Sequence, residues 1–236
     1  MQLRHLGFSS PDTSSHSQPH ILTASTDGHL ALFVGTQPDL GIEPVATDDA
    51  SAVPLLEAAR PIRPASEGIS LITRIHQSGI KSLDMLRIDP SSTTATTSYI
   101  IATGGDDNAI GITHLSFSPA TGAYTVKGKY IVRSAHAAAV TGIGIARVEP
   151  DREGGGDAIV VSTSNDQRVK KWRVVDWQGQ GKTRILLESD EYSGVADCGD
   201  LEIVRDDEEE ARRCGRDGDD GVQFLVGGVG MEVWRV

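Results

Sequence analysis

Four residues in the middle of the chain, His136, Ser162, Asp166 and Trp172, constrain its fold more than any other feature. They lie in AHAAAVTGIGI (135–145), VVSTSND (160–166) and QRVKKW (167–172). Asp166 falls where a tight turn would join two strands, so its carboxylate is placed to accept a hydrogen bond from the His136 imidazole. The other ring nitrogen then meets the Ser162 hydroxyl, whose oxygen accepts the Trp172 indole N–H. Each group has a partner, so burial is tolerable and three strands are held in register. One member left unpaired would cost roughly 1–3 kcal/mol. A chain with this set is expected to consist of sheets, each pinned by a polar clamp.

The offsets recur along the chain. His76 stands four residues before Ile80, as His136 stands four before Val140, and Thr103 stands four before Asp107, as Ser162 does before Asp166. Thr113 takes the tryptophan position of that second set. Near the start, Thr23, Asp27 and Phe33 repeat the four- and six-residue offsets, with no matching histidine before them. The last unit keeps Trp234 but lacks the histidine and the turn aspartate. This is the spacing of WD-type propeller repeats. The expected fold is all-β: a partial WD-repeat β-propeller of about four blades, the last incomplete. Its units span 1–75 (with an insertion at 36–68), 76–135, 136–190 and 191–236, the last with an acidic loop at 205–221.

Short β-branched runs bounded by Gly, Asp, Asn and Ser support the strands, and no stretch shows a sustained helical period. Strands are expected at about 2–8, 20–26, 29–34 and 69–75, then 80–88, 98–104, 109–117 and 125–134. They continue at about 139–147, 157–163, 168–175 and 183–189, then 195–204, 222–227 and 230–236. Asp27-Gly28 and Asp107-Asn108 suit hairpin turns. Residues 9–19 read as a polar loop, 36–68 as a proline-bearing inter-strand insertion and 150–157 as a hairpin tip.

A net charge of −11 argues against a general nucleic-acid-binding surface, which would be basic. Part of that charge is local, in DDEEE (206–210) and DGDD (217–220), and reads as a solvated loop; an EF-hand fails because Val222 and Gly228 stand where its glycine and closing glutamate belong. Cys198 and Cys214 form no CxxC pair, the N-terminus has no apolar signal region, and no run approaches membrane-spanning length. A cytoplasmic protein with no membrane partner is the expectation.

Catalytic motifs are absent: there is no G-x-S-x-G, no P-loop and no H-E-x-x-H. Gly142-Ile143-Gly144 lacks the third glycine of a dinucleotide fingerprint, and the seven histidines show no metal-ligand spacing. Neither an enzyme, a cofactor nor a metal is expected. Arg168, Lys170, Lys171 and Arg173 form a basic stretch around Trp172, read as the outward face of one strand or as a contact for phosphate or an acidic partner.

Six segments carry a closer likeness: HQSGIKSL (76–83), GGDDNAIGI (104–112), AHAAAVTGI (135–143), SNDQRVKKWRV (164–174), VADCGDLEIV (195–204) and GVGMEVW (228–234). In this order they resemble the C-terminal part of the WD-repeat-containing protein six family, the large WD-repeat regulatory subunit of a tRNA 2′-O-ribose methyltransferase. The resemblance covers 70–236 and, loosely, 1–35. It implies a non-catalytic adaptor whose protein partner, the methyltransferase, holds S-adenosylmethionine and does the chemistry at the wobble ribose, so that tRNA is handled indirectly. Family members are several times longer, so the expectation is a portion of a larger propeller protein, or a chain that completes its ring with another polypeptide. The alternative is a generic WD scaffold for another complex, such as a ubiquitin ligase or trafficking assembly.

Overall fold

A computed structural model describes residues 2–6, 20–34, 69–88, 96–118, 121, 123–147, 157–177, 183–204 and 223–235. The insertion at 36–68, the polar loop at 9–19, nearly all of the hairpin tip at 150–157 and the acidic loop at 205–221 lie outside these residues.

The described chain is all-β, in four antiparallel sheets. The first contains β1 (Gln2–Leu6), β2 (His20–Ala24), β3 (His29–Val34) and β4 (Ile69–Arg74). The second contains β5 (Ile80–Ile88), β6 (Thr97–Gly105), β7 (Ile110–Ser118) and β8 (Ala123–Val132). The third contains β9 (Val140–Arg147), β10 (Ala158–Ser164), β11 (Arg168–Val175) and β12 (Arg184–Tyr192). The fourth pairs β13 (Ala196–Val204) with β14 (Gln223–Arg235). In the first three sheets the strands lie in chain order, each hydrogen-bonded to its sequence neighbour.

β14 is a single strand element where the sequence pattern suggests two, at 222–227 and 230–236. It nevertheless doubles back. Ten residues of straight strand would span about 33 Å, yet the rings of Phe224 and Trp234 stack with centroids 6.1 Å apart. Gly230, at φ 120°, supplies a backbone conformation open mainly to glycine for the reversal.

The sheets stack face to face through their first strands: β1 meets β5, β5 meets β9, and β9 meets β13. No strand pairing joins the first sheet to the fourth among the described residues. Between sheets lie three apolar clusters. Leu22, Leu30 and Leu32 meet Leu83, Tyr99 and Ile101. Ile100, Ile110 and Ile112 meet Val140, Ile145, Val160 and Trp172. Ile159 and Val161 meet Leu201, Ile203 and Phe224. Burying each such Leu, Ile or Phe contributes about 1.5–3 kcal/mol. The inner strands β6 and β10 are therefore buried along almost their whole length, whereas the outer β8 and β12 alternate or lie exposed. One buried carboxylate crosses a sheet interface: Asp84 on β5 accepts the Ile145 N–H of β9 at 2.9 Å. No helix of the described residues is long and apolar enough to cross a membrane.

Candidate functional site

In the third sheet the four residues singled out by spacing converge. His136 precedes β9, Ser162 is on β10, Asp166 is in the β10–β11 turn and Trp172 is on β11. His136 Nδ1 is 3.1 Å from both Asp166 oxygens, and Nε2 is 2.8 Å from Ser162 Oγ. The Trp172 indole N–H donates to the same hydroxyl at 2.9 Å. The tautomer that satisfies every group has Nδ1–H donating to the carboxylate and Ser162 O–H donating to Nε2. The Ala137 and Arg168 backbone N–H groups also donate to Asp166, at 2.8 and 3.0 Å. Every polar atom of the quartet is thus committed within the sheet, and none points into an open cleft. A nucleophilic serine needs a reachable hydroxyl, whereas Ser162 is 0% exposed.

Burial, opposed by the Asp166 charge, lowers the pKa of His136 below its ordinary 6.5. Burial would raise Asp166, but the Ala137 N–H, the His136 contact and the Arg168 N–H hold it below its ordinary 3.8. The unfolded chain therefore takes up a proton on His136 at higher pH than the folded one, so this stability is present above 6.5 and is lost as pH falls from there. Burial lowers His114 in the same direction. Asp166 and Asp107, both depressed, add a second loss below 3.8. Thermal unfolding midpoints are expected to hold steady above about pH 7 and fall by about pH 5. A midpoint that does not move across that interval would contradict the buried neutral imidazole.

The second sheet repeats part of this. His76 Nδ1 lies 2.8 Å from Asp107 and Nε2 2.9 Å from Thr103 Oγ1, while the Gln77 N–H donates to Asp107 at 2.8 Å. Thr113, at the tryptophan position, does not reach Thr103; its buried hydroxyl has no partner among the described residues. The first sheet does not assemble the set that the spacing of Thr23, Asp27 and Phe33 suggests. The Thr23 hydroxyl donates to the Ala31 carbonyl at 3.4 Å. The exposed Asp27 turns to Ser25 and His29 within its own turn, which hold its carboxyl down at about 2. Phe33 is half-buried on β3. Without a histidine from the preceding loop, the aspartate is satisfied locally.

The fourth sheet carries a clamp that the spacing does not reveal. Ser193 Oγ donates to Glu232 Oε2 at 2.9 Å, the Gly194 N–H donates to Oε1 at 2.9 Å, and the Trp234 indole donates to Oε2 at 3.1 Å. Ser193 and Gly194 stand where His136 and Ala137 stand in the third sheet. The longer glutamate reaches in from the strand instead of the turn. The turn position, Gly228, has no room for a side chain, because a Cβ there would lie 2.4 Å from the Asp197 carbonyl. Phe224 occupies the serine position and stacks on Trp234. The glutamate two residues before the tryptophan in GVGMEVW was the available signal.

A backbone link joins successive units. The residue after each turn aspartate is left-handed: Gly28 (φ 84°), Asn108 (φ 62°) and Gln167 (φ 61°). Its carbonyl accepts the N–H that opens the next unit, from His76 at 3.2 Å, His136 at 3.2 Å and Ser193 at 2.9 Å respectively.

The basic stretch on β11 is answered within its own sheet. Lys170 and Arg168 pair with Asp190 at 3.2 and 3.4 Å, Lys171 pairs with Glu188 at 3.3 Å, and Arg173 pairs with Glu188 and Asp157. Such partly exposed pairs contribute on the order of 1 kcal/mol or less each and weaken with salt. Beside them, between β11–β12 and β14, opens a groove of about 300 Å³ lined by Val169, Phe224 and Trp234 opposite Glu188 and Glu191. No group of three His, Cys, Asp or Glu able to hold a metal occurs among the described residues. A scan against protein-family models finds no match to the chain, and a search of curated proteins finds none either.

Proposed function

We propose that the chain is part of a WD-repeat β-propeller that works as a non-catalytic adaptor, an accessory subunit of a tRNA 2′-O-ribose methyltransferase acting at the wobble position. The observation that carries the platform reading is the His136–Ser162–Asp166–Trp172 clamp, set in sheets that stack first strand on first strand and are linked turn to loop. The polar groups best placed for chemistry are consumed in holding strands, which favours a role in holding partners. The methyltransferase reading rests on the six segments that resemble the WD-repeat-containing protein six family. The two most particular of them, VADCGDLEIV and GVGMEVW, lie largely on β13 and β14 and supply Cys198, Leu201, Glu232 and Trp234 to the packing and clamp of the fourth sheet.

Deleting the gene is expected to abolish or strongly reduce 2′-O-methylation of the wobble nucleotide, read by mass spectrometry of purified tRNA. Affinity purification of the tagged chain is expected to recover the methyltransferase. Unchanged methylation, or a ubiquitin ligase or trafficking complex as the principal partner, would overturn the subunit reading and leave a WD scaffold of another assembly.

A further inference from the structure

Each sheet hands the next the same pair of positions. They lie three residues and one residue before the tryptophan position of each unit, and they point to the face opposite it, toward the following sheet. In the first sheet they hold Leu30 and Leu32, and in the second Ile110 and Ile112, all buried in the clusters against the next sheet. In the third they hold Val169, buried against the fourth sheet, and Lys171, half-buried beside it. Val169 and Lys171 stand across the groove from Phe224 and Trp234. In the fourth sheet the same positions hold Met231 and Val233, which are 72% and 68% exposed. Glu232 and Trp234 turn to the Ser193 clamp and the Phe224 ring, so Met231 and Val233 alternate with them onto the outer face.

The first sheet shows the converse lack. Ile101 on β6 lies buried against the sheet before it, as do Val160 on β10 and Trp172 on β11. Their counterparts in the first sheet are Ile21 and Phe33, paired across β2 and β3 on the face opposite Leu22 and Leu32. Both stay partly exposed, and among the described residues neither joins an apolar cluster. The array therefore ends in the two halves of one repeated interface: a face shaped to meet a following sheet and a face shaped to meet a preceding one. Exposed apolar faces of this kind mark a protein contact. Each end carries the half that the other end lacks, so a second copy of the chain supplies both at once. Such a contact is head to tail, and it closes into a ring where the rotation allows. Two chains of four sheets make eight, the upper end of the roughly four to eight blades found in closed propellers.

We propose that two copies of the chain close head to tail into one ring, the Met231 and Val233 face of each fourth sheet packing on the Ile21 and Phe33 face of the other copy's first sheet. The ring rests on the stacked sheets of the propeller reading and not on the methyltransferase, whose own test by wobble methylation can fail alone. Sedimentation equilibrium of the full chain is expected to give about 50 kDa, twice the 25.1 kDa of one copy. The double variant Met231→Glu, Val233→Glu, altered only at exposed side chains, is expected to give the mass of one copy, and so is Phe33→Lys. Mixing the two variants is expected to restore the dimer, because one joint then sets glutamates against lysine while the other is unaltered. Leu186→Glu with Leu187→Glu changes exposed leucines of β12 away from either joint and should stay dimeric. Circular dichroism melts check that each variant is folded, and Ile21→Lys takes the place of Phe33→Lys if the latter melts early. Three results would overturn the proposal: a parent chain with the mass of one copy, a mass that keeps growing beyond two copies with concentration, or a mixture of folded variants that stays monomeric. A dimer that survives Phe33→Lys but not the fourth-sheet substitutions would also overturn it, in favour of two fourth sheets meeting each other.

Discussion

Asp166→Ala is expected to lower the unfolding free energy by roughly 2–4 kcal/mol, a large part of the stability of an ordinary domain. The carboxylate accepts from the His136 ring and from two backbone N–H groups. Its removal strands three donors, one of them on a side chain with 0% exposure. Buried donors without partners are the expensive outcome, more so than the loss of the bond itself. Asp166→Asn keeps the shape and one acceptor, so its cost should fall between the parent and alanine. Chemical denaturation read by tryptophan fluorescence gives the comparison. An alanine variant whose midpoint matches the parent's would mean that the quartet contributes nothing to stability.

The second large effect is expected at Gly142. β13 crosses β9 so closely that a Cβ on Gly142 would lie 2.4 Å from Thr163 Oγ1, 2.7 Å from Leu201 Cβ and 2.9 Å from the Leu201 backbone nitrogen. The last of these is main chain and yields only if β13 shifts. Gly142→Ala is therefore expected to cost about 1–3 kcal/mol and to loosen the fourth sheet, seen as faster hydrogen exchange over 196–204. Gly227→Ala is the control, since a Cβ there meets nothing within 4 Å; it should change stability by less than about 0.5 kcal/mol. Equal effects at the two positions would refute the close-approach account. The same geometry explains Gly142-Ile143-Gly144: these glycines admit Leu201 and Ile203 of the next sheet, with no need of a phosphate.

How much of this was legible in the sequence depended on how the information is encoded. The clamp around Trp172 is written in fixed offsets, because strand pairing sets which residues of β10 and β11 face each other. Most of the observed strands fall within two residues of the expected ones for the same reason. The fourth-sheet clamp was hidden because Glu232 replaces a shorter turn residue from inside the strand, so the offset changes while the carboxylate arrives at the same place. The reading at Thr23, Asp27 and Phe33 failed in the opposite way: the offsets are present, but the histidine that would draw the aspartate inward is not, and the carboxylate stays with Ser25 and His29. The pairing of β11 cations with β12 carboxylates needed the register, which the composition of either strand does not give. The links from Gly28, Asn108 and Gln167 were invisible because their acceptor is a carbonyl, which every residue has.

Those links separate two jobs. The clamp side chains tie strands together inside a unit, while a main-chain bond from the turn residue ties each unit to its successor beside the apolar contacts between sheets. A unit can therefore lose its histidine, its aspartate or its tryptophan, as the first, second and fourth have, and still stay coupled to its neighbours. Mutational drift in such an array is absorbed one sheet at a time, so a single well-kept clamp is compatible with an order of sheets that the sequence no longer spells out.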